Sequence, residues 1–413
     1  MIKVILFLLL NFHIINGVIL DKKQLKKWVP KYTTATEIVL RGKEITMIDR
    51  FTFDDLKALQ LLDLGRNQIS IIDVITFNGL ENLTSLNLEQ NQLNTIIPST
   101  FLGLKNLFVL NLNYNPIQYL DPFTFEELQN LKELKMEAVT LNSLDSSTFI
   151  GLSCLQNLYL SFNFLQEIGP KTFKSLISLK NLWLDFNKIE KLDELAFTGL
   201  ETLTLLELGN NKLSKIEPSV FTYLKNLKTL KLEANSLTQV DNNLFNNLIY
   251  LQELDLSFNQ LNFIDTSILS NQKVLQTLWL NFNNLTISNA TVFKNLTNIK
   301  QLYLDNNNIS NFDIHLLLGL KNLEVLSLNS TRIKFVDPHA FSTLKSLKTL
   351  ILDNNLIESI NQNVFLGLQN LEVVNFRNNP ITLNNSTYVK SLCYTNKNCT
   401  IYTDPSQKSV NRI

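Results

Sequence analysis

Few residues in this chain could do chemistry. Asp313-x-His315 and Asp337-x-His339 recur at a 24-residue interval and carry the ligand types of a transition-metal site. Three His occur in all, and His13 lies in an apolar N-terminal run, which leaves little for metal or proton-transfer chemistry. The position of His315 and His339 is polar in most other copies of the local pattern, so their exposure needs no metal to explain it. No phosphate-binding loop, nucleophile elbow or metal-spaced Cys cluster occurs, and neither catalysis nor a cofactor is expected. What remains is non-covalent: Tyr159, Trp183, Trp279 and Tyr303, with Asp185, Glu207, Glu233, Asp255 and Asp305 around them. Aromatics anchor interfaces, and carboxylates draw in a cationic surface.

A 24-residue period places all of them. Asn stands at 67, 91, 115, 163, 187, 211, 235, 259, 283, 307, 355 and 379, with Val139 and Thr331 at the two remaining grid points. Around each runs L-x-x-L-x-L-x-x-N-x-L, as in Leu155, Leu158, Leu160, Asn163 and Leu165. Phe follows ten residues after the grid point, replaced by Leu269 and Leu317; a Leu three further on gives way once, to Gln272. Fourteen periods fill residues 59–381 behind a partial one carrying Ile38, Leu40, Ile45 and Phe53. At ~150 residues per domain the length suggests two or three domains, but so strict a period predicts a solenoid whose coils bury apolar residues only against their neighbours. The L-x-L alternation predicts short strands with both Leu inward, stacked in parallel ~4.8 Å apart. The Asn satisfies backbone groups of the turn that follows, and the Phe fills the opposite wall.

This pattern resembles the extracellular leucine-rich repeat proteins of the typical 24-residue subclass, among them Toll-receptor ectodomains, small leucine-rich proteoglycans and secreted insect immune proteins. The resemblance implies an α/β-class leucine-rich repeat solenoid, a horseshoe with a parallel sheet on its concave face and mostly loops and short 3-10 turns on the convex face. It implies that the concave face binds other macromolecules, without saying which. The expected organisation is a signal peptide at 1–17, an N-terminal cap and partial first repeat at 18–58, fourteen repeats at 59–382, and a C-terminal cap and polar tail at 383–413. Residues 18–58 contain no Cys, so closure of the first coil falls to residues 20–36, with Trp28, Val29 and Tyr32 over the Leu edge. Cys393 and Cys399 resemble a minimal C-terminal cap, which implies a disulfide in an oxidising compartment. Cys154 precedes Leu155 at a grid point that is Asn in seven coils. It is expected to be half-buried, either a packed thiol or an intermolecular bridge.

Lys3 ahead of the apolar run 4–10, with the small Gly17 behind, reads as a secretory signal. No later run reaches a membrane-spanning length, so the expectation is a secreted, extracellular protein without stable membrane insertion. Lys+Arg and Asp+Glu number 37 each, which gives no global pull toward nucleic acid. Sequons at Asn284, Asn289, Asn295, Asn308, Asn329, Asn384, Asn385 and Asn398 are expected to carry glycans. Asn82 is doubted, because it shares the grid point of Cys154.

Positions three, five and seven of the strand template point outward, and position eight lies at their edge. Position five is aromatic in two adjacent pairs, Tyr159 with Trp183 and Trp279 with Tyr303, four coils apart. Position eight adds Phe162, Phe186, Phe258 and Phe282, which are read as partly covering the turn below. Over these positions eleven acidic side chains face four basic ones. The expected partner is a protein with a basic surface, bound by a monomer or weak oligomer in innate immune recognition or extracellular signalling. The alternative is a structural matrix or adhesion component. A second acidic row, six residues after the grid point, is expected to accept turn amides rather than calcium.

Overall fold

A computed structural model of the chain describes residues 17–265, 267–286, 291–310, 314–381 and 399–403. It comprises two compact units, Met1–Lys212 and Leu213–Ile413. Among the described residues the first unit carries eight strands of the main parallel sheet, from Glu37–Val39 through Asn157–Tyr159 and Asn181–Trp183 to Leu205–Glu207. The second carries eight more, from Thr229–Lys231 through Thr277–Trp279 and Gln301–Tyr303 to Thr400–Tyr402. Pairing is strictly in register: Asn157 faces Asn181, and Thr277 faces Gln301. Each is the parallel-sheet solenoid that the repeat predicts.

In each strand the central residue is buried and its flanks are mostly half-buried. Leu155, Leu158, Leu160 and Leu165 have no exposed surface. The grid Asn join coils. Asn163 Nδ2 donates to the carbonyls of Leu160 in its own coil, at 3.0 Å, and Met136 in the preceding one, at 2.8 Å; its Oδ1 accepts from the N–H of Val139 and Leu141. One buried amide thereby satisfies backbone groups that would each cost ~1–3 kcal/mol if left unpaired. On the opposite wall Phe77, Phe101, Phe125, Phe149, Phe173 and Phe197 stack with centroids between 5.8 and 6.5 Å apart. Leu269 and Leu317 are buried where Phe is missing. The acidic row behaves as expected: Asp145, Asp193, Asp241 and Asp337 each accept the N–H two residues on, at 2.7–2.9 Å.

The caps differ from expectation in detail. Strand Val18–Leu20 pairs with Ile45–Ile48, and helix Lys22–Trp28 starts where Asp21 accepts the N–H of Gln24 at 2.6 Å. Leu20 and Leu25 are fully buried, while Trp28, Val29 and Tyr32 stay half-exposed. This helix of 7 residues turns one face only to the Leu edge, and Leu25 occupies that face. Strand Thr400–Tyr402, absent from the sequence reading, pairs with Val373–Asn375. Cys154 is exposed rather than half-buried. At that grid point the side chain lies at the outer turn, where Asn82, Asn106 and Asn130 are exposed and still reach the carbonyl one coil back at 2.8–2.9 Å. The ground for doubting a glycan on Asn82 therefore falls. Residues 1–16, the bulk of the expected signal peptide, lie outside the described residues. None of the described helices is long and apolar enough to cross a membrane.

Candidate functional site: the outward face of the sheet

Strands ~4.8 Å apart hold every outward side chain between its counterparts one coil before and one coil after. That is why Tyr159, Trp183, Trp279 and Tyr303 are half-buried although they face away from the core. Rings at this spacing stack. In the first unit Tyr159 and Trp183 lie 4.1 Å apart and 4° from parallel. Lys135, one coil earlier at the same position, holds Nζ 5.8 Å from the Tyr159 centroid and pairs with Glu133 at 2.8 Å. In the second unit Trp279 and Tyr303 lie 5.9 Å apart and 3° from parallel. Lys231 reaches over Asp255, at 3.8 Å, to place Nζ 3.8 Å from the Trp279 centroid. Both sites thus run ammonium, ring, ring, an arrangement favoured by the negative face of the π-system.

Position eight lies beside these stacks. Phe162 and Phe186 stack at 4.5 Å, and Phe258 and Phe282 at 4.2 Å. They are 38–51% exposed and have left-handed backbones, with φ between 52° and 59°. The turn below, which the sequence reading has them partly cover, is closed by the buried amides of Asn163 and Asn187.

The carboxylates are crowded. Asp185 Oδ1 accepts the hydroxyl of Ser161 at 2.5 Å, and burial raises the Asp185 pKa although that bond opposes the rise. Asp305 accepts the Ser327 hydroxyl and, at 2.8 Å, the N–H of Asn329; burial again raises its pKa. Glu137 accepts Asn113 Nδ2 at 2.8 Å and is raised by burial, with Asp185 adding to the effect. Asp353 is raised by burial too, and its Oδ1 is buried without a hydrogen bond. Asp255 Oδ1 accepts the N–H and hydroxyl of Ser257. Buried carboxylates with raised pKa values favour whatever brings positive charge to them.

The structure thus brings Tyr159, Trp183, Asp185 and Glu207 together on one unit, with Glu207 beside Trp183 in register. It places Glu233, Asp255, Trp279, Tyr303 and Asp305 on the other. Sequence reasoning did not assign the partners that fix them: Ser161 and Ser257, buried at position seven, Ser327, buried at position five, and the lysines capping the rings. The polar types at position seven were the available signal. His315 and His339 are exposed, Asp337 is occupied by the His339 N–H, and Asp313 lies outside the described residues. Among the described residues no group of three metal-ligating side chains forms. Of the sequons, Asn284 and Asn295 are exposed and Asn308 and Asn329 half-buried, while Asn289, Asn384, Asn385 and Asn398 lie outside the described residues. Cys399 is disulfide-bonded, and Cys393 lies outside them.

No curated protein matches the chain. Among solved structures it is similar to TLR13 in its complex with ssRNA13, at 27% identity and a TM-score of 0.82, covering 92% of this chain and 55% of that one. Toll of Drosophila in its complex with Spatzle matches at 19% identity and a TM-score of 0.76, covering 95% of this chain and 62% of that one, a likeness of fold alone. A leucine-rich repeat protein of Leptospira interrogans matches at 28% identity and a TM-score of 0.70, covering 94% of this chain and 100% of that one. The chain therefore spans just over half the length of the TLR13 chain. The leucine-rich repeat model matches residues 33–93, 72–117, 109–165, 153–213, 201–261, 249–309 and 297–357, and the chain belongs to the leucine-rich repeat family.

Proposed function

We propose that this chain is a secreted, non-catalytic recognition protein that binds another protein through its concave sheet face in innate immunity or extracellular signalling. The observation that carries this reading is the outward face itself. Ordered aromatic stacks stand beside carboxylates that burial leaves short of positive charge. A basic protein surface supplies that charge, and the rings supply desolvated anchors. The similar TLR13 structure holds an RNA and the Toll structure a protein. Acidic side chains at Asp185, Glu207, Asp255 and Asp305 repel a polyanion, so the protein partner is the reading we adopt. A Cys393–Cys399 disulfide closing the last coil and glycans on the exposed sequons belong to the same picture.

The test is affinity capture from the source body fluid at low and high ionic strength, wild type against Trp183→Ala plus Trp279→Ala. A basic protein retained by the wild type, released by salt and lost by the variant is the expected result. Equal recovery by both forms eliminates the proposal. The exposed thiol of Cys154 favours one second reading, a matrix or adhesion component built by intermolecular bridges. A non-reducing gel showing covalent oligomers that vanish in Cys154→Ser would select it.

A further inference from the structure

The two aromatic sites are copies of one another. Shifting the chain by 96 residues superposes Lys135-x-Glu137-Ala138 on Lys231-x-Glu233-Ala234, Ser161-Phe162 on Ser257-Phe258, Trp183 on Trp279 and Phe186 on Phe282. Seven of the twelve outward sheet positions in these three coils are identical. Most core positions agree too, with Val139 against Asn235, Phe173 against Leu269 and Leu176 against Gln272 among the exceptions, but the fold demands those in every coil, so they carry no information. On the opposite wall the match fails: Asn142 meets Thr238, Ile150 meets Asn246, Cys154 meets Tyr250 and Glu167 meets Phe263. A duplication that recorded only descent would leave matches on both sides. Outside the core, identity off that face is sparse, as in Asp145 with Asp241 and Gln156 with Gln252, and its concentration on the outward sheet face marks that face as the part held constant.

The geometry repeats with the residues. The edge Phe pairs stack at 4.5 and 4.2 Å, 7° and 10° from parallel. In each unit a lysine ammonium lies over the first ring of a two-ring stack, although the second ring is supplied by Tyr159 before the tryptophan in one and Tyr303 after it in the other. The repeated set contains one Lys and one Glu and is charge-neutral; the remainder is apolar or small. The charged side chains around it differ between copies, Asp185 against Asn281 and Glu207 against Tyr303.

We propose that each unit carries one copy of the same binding site, and that the partner is a protein presenting the same apolar side-chain cluster twice. The proposal rests on the sheet-face reading above and deepens it: the duplicated rings take the apolar cluster, and the unduplicated carboxylates orient the basic surface around it.

The experiment uses the full chain labelled with 5-fluorotryptophan. Its three Trp give three fluorine resonances, assigned through Trp183→Ala and Trp279→Ala. The probe is the neutral blocked tripeptide acetyl-Leu-Phe-Leu-amide. The Trp183 and Trp279 signals should both move and saturate with Kd values within about fivefold, roughly 1 kcal/mol, while Trp28 stays still. Phe162→Ala plus Phe186→Ala should weaken the Trp183 response alone, and Ala138 and Ala234 already show that this backbone accepts Ala. Movement of one signal only, of neither, or affinities further apart than about fivefold would overturn the proposal. Because the probe carries no charge, such a failure leaves the salt-dependent capture of a basic protein to be decided on its own.

Discussion

Gln272→Leu should stabilise the second unit. Gln272 has no exposed surface and stands where every other coil has Leu. Its Nε2 donates to the carbonyl of Phe245 at 2.7 Å, but its Oε1 is buried without a partner. The Phe245 carbonyl does not need that bond, because it already accepts the N–H of Leu248 at 2.9 Å. Replacement therefore removes one net hydrogen bond, ~0.5–1.5 kcal/mol, and one unpaired buried oxygen, ~1–3 kcal/mol. It also adds apolar burial of the order of 1 kcal/mol, for a net gain of ~1–3 kcal/mol. Repeat arrays can unfold in parts, so the probe must be local. Trp279 lies on the next strand, and its fluorescence in a Trp28→Phe, Trp183→Phe background reports that neighbourhood. Urea titration should show a higher midpoint at unchanged slope. An unchanged or lower midpoint would refute the reasoning, and Leu248→Gln, which introduces the same defect one coil earlier, should lower it.

Three further outcomes follow from the sheet face. Burial raises the Asp185 pKa, so its contribution to stability is fully present below the unfolded carboxylate pKa of ~3.9 and is lost as pH rises through the folded value. Asp185→Asn should therefore be more stable than wild type at pH 7 and no more stable at pH 3 by urea titration, yet bind a basic partner more weakly. In a double-mutant cycle Lys231→Ala with Trp279→Ala should show a coupling of ~0.5–2 kcal/mol, and Lys135→Ala with Tyr159→Ala less, because its ammonium is further from the ring. Cys154 should react with a thiol reagent in the native state at the rate of a free cysteine, and reaction only after denaturation would contradict its exposure.

The repeat was legible because it is redundant. Leu158, Asn163 and Phe173 each reappear in most coils, so a single lapse such as Val139 or Thr331 does not hide the register. Thr331 shows how the register survives: its hydroxyl donates to the Leu328 carbonyl at 2.8 Å, a bond that Asn makes elsewhere. The site was legible only as positions. That Trp183 and Trp279 face outward follows from alternation, but their contacts depend on rotamers chosen against the neighbouring coil, and no periodicity encodes these. Lys231 passing over Asp255 to Trp279 is such a choice. The caps were the least legible part. They occur once each, so Leu25 and the strand Thr400–Tyr402 have no second copy to reveal their roles.

Position eight joins the fold to the function. Its backbone is left-handed in all fourteen coils, from Arg66 to Asn378. A residue with a Cβ is disfavoured there by ~1–2 kcal/mol, Asn and Gly being best tolerated. Asn210, Asn306, Asn354 and Asn378 follow that preference. Phe162, Phe186, Phe258 and Phe282 go against it, as do Arg66, Gln90, Tyr114, Ala138, Ala234 and Ser330, and the four Phe leave 38–51% of their surface exposed. The turns beneath are already closed by the amides of Asn163, Asn187, Asn259 and Asn283. The packing these rings gain is with one another, in stacks at 4.5 and 4.2 Å, and departures from local conformational preference are expected at functional sites. All four edge Phe fall in the coils that carry the repeated tryptophan set, which is the arrangement expected if these rings are retained for contact with a partner.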